Sequence, residues 1–436
     1  MEMLRYGGAM VSVPLKEEQI VEVVRQNPVE LPCCTPEEAV RNALDAPVGA
    51  PRLEDVVKPN DTVCIVISDI TRRWQAPAVY LPILVERLNR AGVPDKNILV
   101  LSSTGVHRTQ SEEEWRVLLG PELINRLSYA DHECDDTENL TYLGETRRGT
   151  PVWVNSRALQ CDKLILTGGV AYHPLAGFSG GRKSLVPGIA GRETINKNHS
   201  LALAPGFGNG IHPCVTGGNI TADNPFHDDQ VEASAMAKPA YMLNVVVNGE
   251  GRIVQAFAGH WLQAWKEATK LVESIDGVPV KKRVPLVIAS AGGPPKDMNI
   301  SQTTKTLANA LHLVAPGGTM ILLSQCREGF GDPACRKQIC DYDTMEQRER
   351  ALRERFSIGG FFGYLFADSA EKYNLILVTD MAAEEFSHTR IHAVKTLPEA
   401  LDLAAQLCGG SLENMPAALM PQGGSTLPKI QDEMTV

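Results

Sequence analysis

The residues of this chain that could do chemistry fall into a few glycine-bordered stretches. His173, Arg182 and Lys183 lie in Gly168-Gly-Val-Ala-Tyr-His-Pro-Leu-Ala-Gly-Phe-Ser-Gly-Gly-Arg-Lys183, which continues through Pro187-Gly188 to Asn198-His199. Six glycines between positions 168 and 188 let backbone approach a ligand that side chains would hold off. Such a loop, carrying an imidazole, a guanidinium and an amine, reads as a cradle for an anionic group such as a phosphate or carboxylate. Asp69 and Arg72 form a second set, His107 and Arg108 a third, and Lys305 stands further on. Imidazoles beside cations suit proton transfer on a bound anion, because imidazole changes charge near neutral pH.

Other readings compete for the same residues. Gly177-Phe-Ser-Gly-Gly-Arg-Lys-Ser184 nearly matches the P-loop pattern G-x-x-x-x-G-K-[ST], with Arg182 where the glycine before the lysine should be. A phosphoryl-transfer enzyme is therefore one alternative. His132, His227, His260, His388 and His392 read as surface or packing residues, and His212 is left open. Arg73 and Lys197 read as ordinary solvated charges. The acidic run from Asp223 to Glu232 could suggest a metal site, but it fits better as a turn entering a helix whose first turn is acidic.

A repeated strand-then-loop pattern must position these groups. Thr62-Val-Cys-Ile-Val-Ile67 ends just before Asp69, Asn97-Ile-Leu-Val-Leu101 just before His107, and Lys163-Leu-Ile-Leu-Thr167 runs into the cradle. Helices are expected over 17–25, from Thr35 as N-cap with Glu38 three residues on, and over 79–90 closed by Gly92. Fully apolar strands alternating with helices indicate a largely parallel sheet, whose ligands bind beyond the strands' carboxyl ends. Three loops thus converge on one crevice.

From Tyr241 to Phe257 the alternation reads as paired antiparallel strands turning at Asn248-Gly249 and Glu250-Gly251, followed by a helix over 263–275. Asp276-Gly-Val-Pro-Val-Lys-Lys-Arg283 is the expected boundary and hinge. A second α/β unit follows: a strand over 285–289, a helix carrying Gln302, Lys305 and His312 that Pro316-Gly-Gly318 stops, a strand over 319–323, a strand over 374–378 and a helix over 397–407. The end of the chain carries too little pattern to place. The expected fold class is α/β: two α/β domains, 1–278 and 279–436, with largely parallel sheets and the active site in the interdomain cleft.

At 436 residues the chain is too long for one ordinary core. Its 43% apolar and 22% charged residues are those of a globular protein, and a net charge of −10 argues against nucleic acid or anionic membrane as partner. No apolar run has the length of a membrane span and the first residues lack a signal peptide's apolar core, so a cytoplasmic location is expected. Ten scattered cysteines without a C-x-x-C pair read as reduced thiols.

Taken together, the motifs resemble those of the lactate racemase family, whose members carry a nickel-pincer nucleotide. Asp69-Ile-Thr-Arg72, Thr104-Gly-Val-His-Arg108, His173-Pro-Leu-Ala-Gly-Phe-Ser-Gly-Gly-Arg-Lys183, Asn198-His199, Asn224-Pro-Phe-His, Phe257-Ala-Gly259, and Gly292-Gly293 with Gln302 and Lys305 carry the resemblance. It implies that Lys183 holds the nucleotide (pyridinium-3-thioamide-5-thiocarboxylic acid mononucleotide nickel) covalently as a thioamide, with His199 on the nickel. Asp69, Gly177, Ser179, Gly180, Gly181 and Arg182 would line the cofactor. His107 and His173 would be paired acid/base residues, with Arg72 and Lys305 meeting the substrate carboxylate and polarised oxygen beside Ser301 and Gln302. The implied reaction inverts C2 of a 2-hydroxy acid by hydride transfer to and from the cofactor, through a flat 2-keto acid. Separate proteins must build that cofactor.

Three departures bear on the substrate. Arg73 replaces the family's proline, Ser301 stands where the lactate enzyme has tyrosine, and Phe361-Phe362 follow Gly359-Gly360 where a histidine-lysine pair often stands. A smaller residue at 301 implies a substrate bulkier than lactate, such as a sugar acid. Besides phosphoryl transfer, the rival readings are a non-catalytic nickel or organic-anion binding protein and a cofactor-free racemase that abstracts the C2 proton.

Overall fold

A computed structural model describes residues 2–30, 33–215, 223–248 and 251–431. Two six-stranded sheets organise it. In the first, strands run in the order Ile253–Gly259, Tyr241–Val247, Lys163–Gly169, Val63–Ser68, Ile98–Ser103, Ser128–Asp131. All neighbours are parallel except the first pair, which is antiparallel as its alternation implies. Gly249 and Glu250 of the expected turn lie outside the described residues.

The continuous apolar runs are explained by burial on both faces. Val63, Ile65 and Ile67 pack with Tyr80, Leu81, Leu84 and Leu88 of the helix Pro77–Arg90, whereas Cys64 and Val66 pack with Trp265, Ala268 and Val272 of the helix Gln263–Asp276. The period of two along a strand divides its residues between two layers. At the carboxyl edge Ser68 pairs with Ser103, so the loops bearing Asp69 and His107 leave side by side.

The second sheet runs His392–Val394, Asn374–Val378, Val314–Leu323, Val284–Ser290, Ala417–Met420, Ile20–Val23, all parallel. Its last member comes from the chain's beginning, which the sequence groups with the first unit. Residues 17–25 are not the expected helix but a short 3-10 turn, Glu17–Gln19, and then that strand. Their local pattern is weak, and pairing with Ala417–Met420 decides the outcome. The final segment, unplaceable from sequence, supplies that pairing strand and a second, Leu427–Ile430, which pairs with Gly277–Val280. Pro316-Gly-Gly318 lies inside the strand Val314–Leu323 instead of ending a helix, and the preceding helix, Ile300–Ala310, stops earlier.

The chain thus crosses between the sheets twice, and the crossings are stitched together. Asn27 donates from its backbone to Ile275 O and from its side chain to Ser274 O and Gly277 O, while Gln26 donates to Asp276. One apolar cluster spans the two units, joining Leu175, Ala176, Leu203 and Phe226 to Val287, Ile300, Leu307 and Phe361. The loop after the helix Arg192–Ser200 is gripped as well. Glu349 accepts from the backbone of Gly208 and Gly210, and Arg353 donates to Ala204 O at 2.8 Å. Among the described residues no helix is long and apolar enough to cross a membrane.

Candidate active site

The loop after Val63–Ser68 folds into a 3-10 helix, Ile70–Gln75, capped by Asp69. Asp69 is buried, accepts from the backbone and hydroxyl of Thr71, and contacts Nδ1 of His107. Burial pushes its carboxyl up, but the His107 contact, then Thr71 and Arg72, outweigh that and leave it below the usual carboxylate range. His107 itself is half exposed. Its loop is anchored by Gly105 N donating to Gly188 O at 3.0 Å, so the histidine is hung on the cradle. A carboxylate on Nδ1 fixes the proton there and leaves the Nε2 lone pair outward, the tautomer of a general base.

His173 has the opposite arrangement. It sits in the tight pair Tyr172–His173 with Gly177–Phe178, and its Nδ1 accepts from the backbone N–H of Leu175 and Ala176, both at 3.2 Å. The ring proton must then be on Nε2. Burial, then Lys183, Lys305, Arg72 and His199, holds its pKa well below the usual imidazole value, so the ring is neutral. The same causes show which groups share its surroundings: every one was a candidate by sequence.

Lys183 lies at the end of the cradle. Burial first, then Arg182, Arg72 and Lys305, depresses its amine far below the ordinary lysine range. His199, on the helix Arg192–Ser200, is buried and donates from Nδ1 to Ile195 O at 2.7 Å, leaving its Nε2 lone pair free. Burial, and secondarily Lys183, lowers its pKa to about 3. Phe226 lies near both, edge-on to the His199 ring at 4.8 Å and 5.8 Å from the Lys183 amine. Lys305 comes from the second domain on the helix Ile300–Ala310. Burial, then Arg72 and Lys296, brings its amine down to about 7. His173, Lys183 and Lys305 are deep within the protein yet partly accessible to water, as cleft walls are.

Several candidates have structural duties. Gly180 and Gly181 adopt positive φ, and a Cβ would strike Asn244 at 2.6 Å or Trp265 at 2.7 Å. Ser179 closes the loop by donating to Gly169 O and accepting from Ala171 N. Gly177 pairs with His173. Arg182 is fully buried, donates to Ala176 O and lies 4.2 Å from the Trp265 ring. Ser301 donates to Phe330 O at 2.9 Å, and Gln302 sits one turn before Lys305 on the same helix. The P-loop alternative loses its geometry: only a four-residue turn, Gly181–Ser184, follows the glycines, and the next helix begins at Arg192.

The sequence did not reveal the Asp69–His107 pair, although adjacent strand ends were the signal available for it. Nor did it reveal Asp229, which turns from the acidic run into the interior.

The residues fit a lysine-tethered metal nucleotide. Burial and the neighbouring cations favour the uncharged, nucleophilic form of the Lys183 amine, and His199 presents a buried lone pair whose tautomer is set by a backbone carbonyl. No group of three or more metal-binding side chains exists among the described residues. A metal held at His199 would take its remaining donors from the bound group.

Because Lys305 would hold a substrate carboxylate as an ammonium, kcat/KM is expected to fall as pH rises through about 7. The limiting slope is about tenfold per pH unit for one proton. A pH series on Lys305→Arg should lack that fall, since a guanidinium stays charged.

Comparisons with known proteins identify the family. Residues 6–209 match the lactate racemase N-terminal domain and residues 280–427 the lactate racemase C-terminal domain. The chain is 32% identical over 373 residues to the lactate racemase of Lactiplantibacillus plantarum, covering 84% of this chain and 86% of that one. It is 29% identical over 408 residues to the lactate racemase of Thermoanaerobacterium thermosaccharolyticum, covering 92% and 93%. The apoprotein structure of the lactate racemase from the latter organism superposes with a TM-score of 0.89 at 27% identity, covering 98% of this chain and 99% of that one. With both domains matched and its fold shared end to end, the chain belongs to the lactate racemase family and is an isomerase.

Proposed function

We propose that this protein inverts C2 of a 2-hydroxy acid bulkier than lactate, a sugar acid being the leading class, using a nickel-pincer nucleotide attached to Lys183. The observation that carries the reading is the joint placement, against the Phe226 ring, of a Lys183 amine whose charge is disfavoured and a His199 that bears a free lone pair. When bound, the nucleotide supplies a centre that takes up and returns hydride.

The chain's own residues do the rest. Arg72 and Lys305 hold the carboxylate and the C2 oxygen, and the interdomain packing excludes water. His107 takes the hydroxyl proton of one stereoisomer at Nε2, with Asp69 stabilising the resulting imidazolium. His173 meets the C2 oxygen as an Nε2–H donor. To serve as the base for the other stereoisomer it must first release Leu175 and Ala176, because those amides occupy the nitrogen that would then carry its proton. Support for a longer substrate comes from Ser301, a smaller residue than the family's tyrosine at that position, whose hydroxyl donates to Phe330 O.

The test uses protein made in cells that also build the cofactor, incubated with single stereoisomers of sugar acids and of lactate in D2O. The expected result is inversion with the C2 hydrogen largely retained, and kcat/KM higher for a sugar acid than for lactate. Full deuterium incorporation at C2 would mean proton abstraction and end the hydride reading, while a preference for lactate would end the substrate assignment.

A further inference from the structure

The helix Pro225–Met236 and its cap Asn224 contact the glycine-rich cradle and the helix bearing His199 without supplying a reacting group. At its start Asn224 donates to Leu175 O, in the turn that holds His173. Phe226 packs near both Lys183 and His199. Ser234 donates to Arg182 O, the carbonyl next to Lys183. Between them, Asp229 is fully buried and forms no ion pair among the described residues. Its carboxylate accepts from the hydroxyls of Thr146 and Thr150 and, at 2.9 Å, from Asn198 Nδ2.

A buried polar group left without hydrogen bonds is costly, and these three donors satisfy the Asp229 side chain. What they secure is Asn198, the neighbour of His199. The same Asn198 amide also donates to Phe226 O at 3.2 Å, which leaves its Oδ1 buried without a partner. The helix bearing His199 is therefore held at its last turn by Phe226 and Asp229 through Asn198.

We propose that the helix Pro225–Met236 is the template that sets His199 relative to Lys183, with Asp229 the positioning residue that fixes the imidazole through Asn198. The inference rests on the roles given to Lys183 and His199 above. Supporting groups of this kind alter metal affinity by about 10–100-fold when removed.

The test is chelator titration of holoprotein, reading nickel content and the intact mass of the Lys183 adduct separately. Asp229→Ala is expected to lose nickel at about 10–100-fold lower EDTA concentration with the adduct retained. Asp229→Asn should recover part of that loss, because Asn198 can turn its amide and offer the Oδ1 that is now unpartnered. Asp228→Asn, on the same helix but facing Arg148, should behave as wild type. In apoprotein, carbethoxylation of His199 by diethyl pyrocarbonate, mapped by peptide mass, should be faster in Asp229→Ala than in Asp228→Asn. Wild-type nickel retention and wild-type His199 reactivity in Asp229→Ala, even with a lowered melting temperature, would reduce Asp229 to a packing residue. An unmodified Lys183 in wild-type protein would instead defeat the cofactor reading, and the apoprotein comparison would then decide the template alone.

Discussion

Lys183→Ala, produced alongside the cofactor-building proteins, is expected to carry no mass adduct and to lose at least about 10⁴-fold in turnover, about 5.5 kcal/mol of barrier. The reason lies in the state of the amine. Burial and three neighbouring cations, Arg182, Arg72 and Lys305, hold it far below the ordinary lysine range, which favours the uncharged form that can act as a nucleophile. Lys183→Arg should be equally inactive even though it keeps a cation there, because a guanidinium stays protonated and cannot form the thioamide. Intact mass, nickel content and an inversion assay on folded variants check this together. Inversion at the wild-type rate by either variant would remove the tether from the mechanism.

Asp69→Asn should lower kcat by about 10³–10⁴ with KM nearly unchanged, the size of effect seen when an imidazole loses the carboxylate that sets its tautomer. An amide at 69 can present its NH₂ to His107 and move the ring proton to Nε2, which removes the outward base. Asp69 does not bind substrate in this account, so binding should persist. Asp69 stays ionised to below the ordinary carboxylate pKa, and its contribution to the folded state is lost only as pH falls through that lowered value. A loss of activity already present at pH 5–6 would therefore not come from Asp69. An Asp69→Asn enzyme with normal kcat would show that His107 needs no orienting partner.

Much of the site was legible because local sequence carried its own physics. Continuous β-branched runs had to be strands buried on both faces, and polar residues placed after them had to meet at the carboxyl edge. Ser68 opposite Ser103 puts Asp69 and His107 where that argument requires. The glycines at 180 and 181 were visible but their cause was not. They are needed because Asn244 and Trp265, distant in sequence, press against them. Arg182 is adjacent to Lys183 in the chain, yet its guanidinium goes to Trp265 while the amine goes to the Phe226 side, a division that neighbouring helices impose.

By itself the sequence determined the alternation of strands and helices, the stretches that bear chemistry, and the family. Those follow from side-chain periodicity and glycine placement, which act over a few residues. Only the tertiary structure decided that the chain's beginning completes the second sheet, that His107 and His173 rest in opposite tautomers, and that Asp229 points inward to Asn198. Each of these depends on a hydrogen-bond partner far away in the chain or on which nitrogen a backbone amide reaches. Such choices are made by packing in three dimensions, where one donor's position changes the proton's place on a ring.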